Sequence, residues 1–232
     1  MIACWLFIFF LFSCGLDTFY YLDPPVSRNF IDEAQSPSKD PSEHYVSFVT
    51  ASNGDNRDIF QGTAVYYKIY NSASRLLTDK AAVESINNDN SNQGMNRLIG
   101  WGYQALTTSA GDTVNLVGGG NSRQIVIRLF DESLNGDVYN YPAKVTVDDS
   151  SLGIPLRCFD KKTFSFRETV LSSSVYSVPK EGDMDVSFST NVGTVTWYVA
   201  LYAVSTGMSP SLAPIYSQVT YLGSLAITPT SN

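Results

Sequence analysis

The 232-residue chain holds one histidine, His44, and three cysteines, Cys4, Cys14 and Cys158. Only 16% of its residues are charged, against the ~25% usual in globular chains. Each scarcity excludes something. A zinc site of the ordinary kind takes several Cys or His ligands, and one imidazole cannot supply them. Cys4 and Cys14 fall in an apolar leader, so the folded body keeps only Cys158 and builds no disulfide framework. A catalytic Cys158 needs a nearby base. His44 sits where a proline-rich segment meets the body, a poor place for one, so Cys158 reads as a half-buried strand thiol.

Charge of one sign is scarce too. The formal net charge is −7 and no basic stripe runs along the chain, which argues against nucleic-acid binding. The greasy stretch is also short. Residues 1 to 12, MIACWLFIFFLF, are wholly apolar, and Asp17 ends the run. As a helix it spans about 24 Å even when extended to Leu16, less than the ~30 Å of a bilayer core. That length suits the apolar region of a signal peptide. No Lys or Arg precedes Arg28. Phosphate-loop and EF-hand spacings are missing as well. The glycine-rich LVGGGNSRQ, residues 116 to 124, leads into a strand and reads as a hairpin loop. The acid pairs Asp148/Asp149 and Asp183/Asp185 read as solvated turn and strand edge. No metal, cofactor or enzymatic activity is expected.

What is present begins at the end of the leader. Leu11-Phe12-Ser13-Cys14 resembles the lipobox of bacterial lipoproteins. The resemblance implies diacylglyceryl transfer to the Cys14 thiol, cleavage before it and acylation of the new amino terminus. Two or more acyl chains anchor a protein stably. The opening CGLDTFYYLDPP is similar to the mature N-termini of treponemal lipoproteins of unassigned function. The resemblance implies an envelope location and a membrane as first partner. The expected layout is a signal peptide at 1–13, a lipidated N-terminus and tether at 14–44, and one domain at 45–232. Prolines 24, 25, 37 and 41, with many Ser and Asp, give the 14–44 stretch its tether composition.

Fourteen Tyr and thirteen Phe favour strands. GTAVYYKIY, residues 62 to 70, alternates with Val65, Tyr67 and Ile69 on one face. Further strands are expected at 44–52, 123–130, 143–147, 183–190, 193–204 and 216–227, with weaker candidates near 156–170 and 174–178. TDKAAVESIN, residues 78 to 87, has helical spacing with Thr78 as its N-cap, and Met95, Leu98 and Ile99 suit a helical turn before a strand from Trp101. GTAVYYKIY and WYVALYAVSTGMSPS resemble two strands of fibronectin type III domains. The expected fold is mainly β: an Ig- or fibronectin III-like antiparallel β-sandwich with a short helical insertion near 75–100.

In the two long strands Tyr66, Tyr70, Tyr198 and Tyr202 lie off the inward face. Tyrosine offers contact area and a hydroxyl at low entropic cost, so these four form a candidate aromatic binding face for a protein or glycan ligand. The functional expectation is a surface or envelope lipoprotein that acts as a binding module. The alternatives are a structural subunit of an envelope assembly and a glycan-active enzyme.

Overall fold

A computed structural model describes residues 20–36, 40–88, 92–111, 113–131, 141–159, 162–166, 179–190 and 196–227. Cys14 and the 174–178 strand candidate lie outside these. In chain order the strands are β1 (Val26–Asn29), β2 (Ile31–Asp32), β3 (Val46–Val49) and β4 (Phe60–Tyr70). Two helices follow, α1 (Ala73–Glu84) and α2 (Gln93–Gly100). Then come β5 (Gln104–Ala105), β6 (Thr107–Thr108), β7 (Asn115–Gly118), β8 (Gln124–Arg128), β9 (Lys144–Val147) and β10 (Ser150–Gly153). The last are β11 (Pro155–Phe159), β12 (Lys162–Ser165), β13 (Val186–Ser187), β14 (Trp197–Met208), β15 (Pro214–Tyr216) and β16 (Thr220–Ile227).

The protein is an antiparallel β-sandwich with a short helical insertion. One sheet has the order β1-β3-β8-β9-β10. The larger has β13-β4-β14-β16-β2, with β15 beside β14 and both β5 and β7 beside β4. A third, small sheet has the order β12-β11-β6. Two pairings are parallel, β13 with β4 and β16 with β2. Period-2 alternation supplies the core. Val46, Phe48, Ile125, Ile127, Val145 and Val147 of one sheet meet Val65, Tyr67, Ile69, Val199, Leu201 and Ala203 of the other. Full burial of one such aliphatic or aromatic side chain is worth about 1.5–3 kcal/mol. The glycine-rich stretch crosses from β7 in one sheet to β8 in the other, so it is a bridge between layers and not a hairpin. A Cβ on Gly119 would stand 2.8 Å from the Phe60 carbonyl, which explains a glycine there.

Four further expectations need correcting. Residues 20–36 are not a free tether. β1 pairs with β3 of one sheet, and β2 then pairs with β16 of the other, so this segment laces the open edge of the sandwich. The prolines hide the short alternations, and Leu22 is fully buried. Gly223, at φ 131, makes the lacing possible, because a Cβ there would lie 1.9 Å from the Ile31 carbonyl. Secondly, α1 starts at Ala73. Ser72 is its N-cap and accepts a hydrogen bond from Arg75 N–H, while the Thr78 hydroxyl donates back to the Ser74 carbonyl. Thirdly, no strand begins at Trp101; residues 101–102 turn, with Gly102 at φ 77. Lastly, the 183–190 strand shrinks to Val186–Ser187, because the acids before it turn inward.

Candidate ligand-binding cleft

The outer face of the large sheet is where the four tyrosines were expected to lie open. The helices cover it. Tyr70 and Tyr202 are fully buried, Tyr66 is 8% exposed and Tyr198 is half-buried. They pack with Leu76 and Val83 of α1 and Met95 and Leu98 of α2 into a second apolar core. The cause is plain in the helix pattern, which places these apolar residues toward the sheet. An open aromatic face is therefore replaced by an aromatic interior.

That interior is ordered by polar tips. The Tyr70 hydroxyl lies 2.9 Å from the Tyr103 hydroxyl and donates to Asp79 Oδ2 at 3.2 Å. Arg75 Nε holds the other Asp79 oxygen at 3.0 Å. The Tyr103 and Tyr202 rings meet edge to face at 5.5 Å, and Tyr202 meets Tyr221 at 4.9 Å. Burial pushes the Tyr66 phenol up to about 12, and raises Tyr70, Tyr103, Tyr202 and Tyr221 as well. Lys68 is lowered, chiefly by burial; its ammonium donates to the Trp101 carbonyl and faces the Tyr103 ring.

The aromatic interior reaches the surface at a cleft of about 360 Å³. Phe30 and Tyr221 form its aromatic wall, meeting edge to face at 5.7 Å, and Tyr202 lines it from within. Lys80 sits against that wall, 4.6 Å from the Tyr221 ring centre and 5.7 Å from that of Phe30. Asp32 fixes Lys80 at 3.1 Å, and Ser224 and Tyr221 hydroxyls donate to the other Asp32 oxygen. Glu84 stands exposed on the rim, one helical turn beyond Lys80. The buried Tyr202 hydroxyl has no hydrogen-bond partner among the described residues. A buried polar group left unmade costs about 1–3 kcal/mol. A second hollow, about 460 Å³, runs along α2 beside Arg97 and Trp101. None of its lining residues carries a buried polar side-chain atom that lacks a partner among the described residues.

The remaining sequence candidates are accounted for elsewhere. Asp183 and Asp185 are not a solvated strand edge. They clamp the fully buried Arg157 of β11, with Nε 2.6 Å from Asp185 Oδ2 and Nη2 2.7 Å from Asp183 Oδ2. Burial alone would lower Arg157, but the hydrogen bonds and charge of Asp185 and Asp183 outweigh it and hold it above its usual value. His44 pairs with the buried Glu33 at 2.6 Å. Cys158 lies on β11 in register with Thr163. Among the described residues no group of three His, Cys, Asp or Glu gathers as a metal site, and no helix is long and apolar enough to cross a membrane.

Sequence reasoning placed Tyr202 but missed Phe30, Lys80, Glu84 and Tyr221. Phe30 was hidden in the supposed tether. Tyr221 was hidden by a bulge that puts Leu222 on the inner face and Tyr221 on the outer one. Comparison of the chain with protein-family models, with curated proteins and with solved structures finds no match.

Proposed function

We propose that the chain is a lipid-anchored protein of the bacterial cell envelope, held to a membrane through Cys14, whose sandwich presents the Tyr202–Tyr221 cleft to a hydroxyl-rich ligand, a glycan above all. The observation that carries the binding role is the Tyr202 hydroxyl, buried beneath an aromatic wall and without a partner among the described residues. Aromatic faces suit the apolar side of a sugar ring, and the Tyr202 hydroxyl and Glu84 carboxylate suit its hydroxyls. The anchoring role rests on Leu11-Phe12-Ser13-Cys14. Binding is favoured over glycan hydrolysis because, among the described residues, Glu84 is the one acid lining the cleft, whereas glycosidases use a facing pair.

Metabolic labelling with a palmitate analogue tests the anchor. Label in the wild type that disappears in Cys14→Ser supports it, and an unlabelled wild type overturns it. A glycan array read with wild type and Tyr221→Ala tests the cleft. Equal signal from both proteins sinks the glycan reading.

A further inference from the structure

The hairpin joining β14 to β15 carries an anomaly. Leu212 N–H donates to the Ser209 carbonyl and Ser209 N–H to the Ala213 carbonyl, both at 2.9 Å. This is a tight turn closed by a residue in the left-handed region, where glycine or asparagine is the default. The chain has leucine there, at φ 63. The same Leu212 is 76% exposed, more than any other large apolar residue described. A bulky side chain in that conformation is disfavoured. Exposing it to water forgoes the burial that apolar residues favour. Ala213 N–H donates to the Ser209 hydroxyl at 3.0 Å and so helps to hold the turn, but among the described residues nothing covers the Leu212 side chain, and strain that persists in a turn is a pointer to use.

The place of the hairpin says what the use is. Met208 N–H donates to the Ile59 carbonyl, and Leu22 packs with Ile59, Phe60 and Ile215. Asn56 Nδ2 donates to the Tyr21 carbonyl. The start of the described chain and the hairpin tip therefore share one end of the body. Tyr20 and Tyr21 are 37% and 38% exposed there. The turn itself, Ser-Pro-Ser-Leu-Ala at 209–213, carries no charge. Cys14 lies six residues before Tyr20, a reach of at most about 20 Å. Acyl chains on Cys14 hold this end of the protein within that distance of the bilayer.

We propose that this end is the face on which the body rests on its own membrane, with Leu212 entering the lipid interface and Tyr20 and Tyr21 at the headgroup level. The inference rests on the Cys14 anchor proposed above. Tyrosine is at home at a membrane interface, and the uncharged turn meets no desolvation penalty for a formal charge, while the exposed Asp55, Arg57 and Asp58 of the neighbouring loop stay at the hydrated headgroup level. The consequence is an orientation. Tyr202 lies six residues from Met208 along β14, about 20 Å at strand rise. The cleft then opens sideways above the headgroups, clear of the lipid.

The test uses the mature lipidated protein, which begins at Cys14 and so lacks Trp5, extracted from membranes and reconstituted in phosphatidylcholine–phosphatidylglycerol vesicles with brominated acyl chains. Leu212→Trp adds a reporter to the Trp101 and Trp197 background, and Tyr20→Trp adds a second at a site without turn constraints. Both reporters are expected to lose at least a third of their added emission to brominated lipid. Unquenched reporters on a chain whose mass includes the lipid overturn this inference and leave the anchor standing. Reporters shielded from aqueous iodide but unquenched by brominated lipid place a protein there and overturn it too. A mass without lipid at Cys14 overturns the anchor and this inference together.

Discussion

Arg157 and Asp185 meet as a two-pronged fork in the interior, with Nε 2.6 Å from Oδ2 and Nη2 2.8 Å from Oδ1. Both side chains are fully buried, and the Tyr67 hydroxyl donates to the same Oδ2 at 3.1 Å. Asp185 also accepts Ile69 N–H through its carbonyl, at 2.8 Å. The fork thus ties the small sheet, through β11, to the long central strand β4. Removing Asp185 strips the buried guanidinium of its fork and the Tyr67 hydroxyl of its acceptor, with Asp183 left to hold the charge. Asp185→Ala should cost about 3–5 kcal/mol in urea unfolding. Replacing Arg157, Asp183 and Asp185 together by Met, Leu and Leu should cost less than Asp185→Ala alone. A triple variant weaker than the single one would contradict this account.

The aromatic interior predicts the alkaline limit of stability. Tyr66 is raised to about 12, and Tyr70, Tyr103, Tyr202 and Tyr221 are raised too, all chiefly by burial. Unfolded tyrosine ionises near pH 10. Their stabilising contribution is whole below pH 10 and falls as pH climbs from 10 through 12, at roughly 1.4 kcal/mol per pH unit for each phenol kept neutral. Lys68 acts oppositely: its lowered value means that stability gained from it rises toward pH 10.5. Phenolate absorbance should show these five tyrosines ionising only when the circular dichroism of the fold collapses. Smooth titration of all fourteen tyrosines with the fold intact would refute it.

Gly223 should tolerate no side chain. Its φ of 131 already disfavours one, and a Cβ would strike the Ile31 carbonyl at 1.9 Å. Gly223→Ala should detach β2 from β16 and cost more than about 2 kcal/mol. Cleavage by trypsin after Arg28 should accelerate at least tenfold, since that residue is held in place by the lacing. Wild-type cleavage rates would show that the lacing does not depend on the bulge.

Much of the sandwich was readable from alternation alone. Val65, Tyr67 and Ile69, then Val199, Leu201 and Ala203, face inward as their period-2 spacing requires. The same spacing put Tyr66, Tyr70 and Tyr202 outside, which is right for the sheet and wrong for the molecule. What lies over a sheet face is a long-range fact, set here by helices whose own cap, Ser72, escaped notice. The Arg157 fork was out of reach for a similar reason. Its acids lie 26 and 28 residues away in sequence, and a lone arginine in a short strand carries no local sign of its partners. Phe30 shows a third limit, because β2 is two residues long and has no periodicity to read.

Tyr202→Phe separates the cleft from the scaffold. The hydroxyl is buried and unpartnered among the described residues, so in the free protein it is a liability. Removing it should leave the ring contacts with Tyr103 and Tyr221 intact and raise stability by about 1 kcal/mol. If the hydroxyl serves the fold through some bond of its own, the substitution lowers stability instead. If it serves a ligand, the variant is more stable and binds glycan at least fivefold more weakly, with an unchanged circular dichroism spectrum. Urea unfolding and glycan-array titration on the same preparation read both quantities. A gain in stability with undiminished glycan binding would leave the hydroxyl without a role and move the ligand away from this cleft.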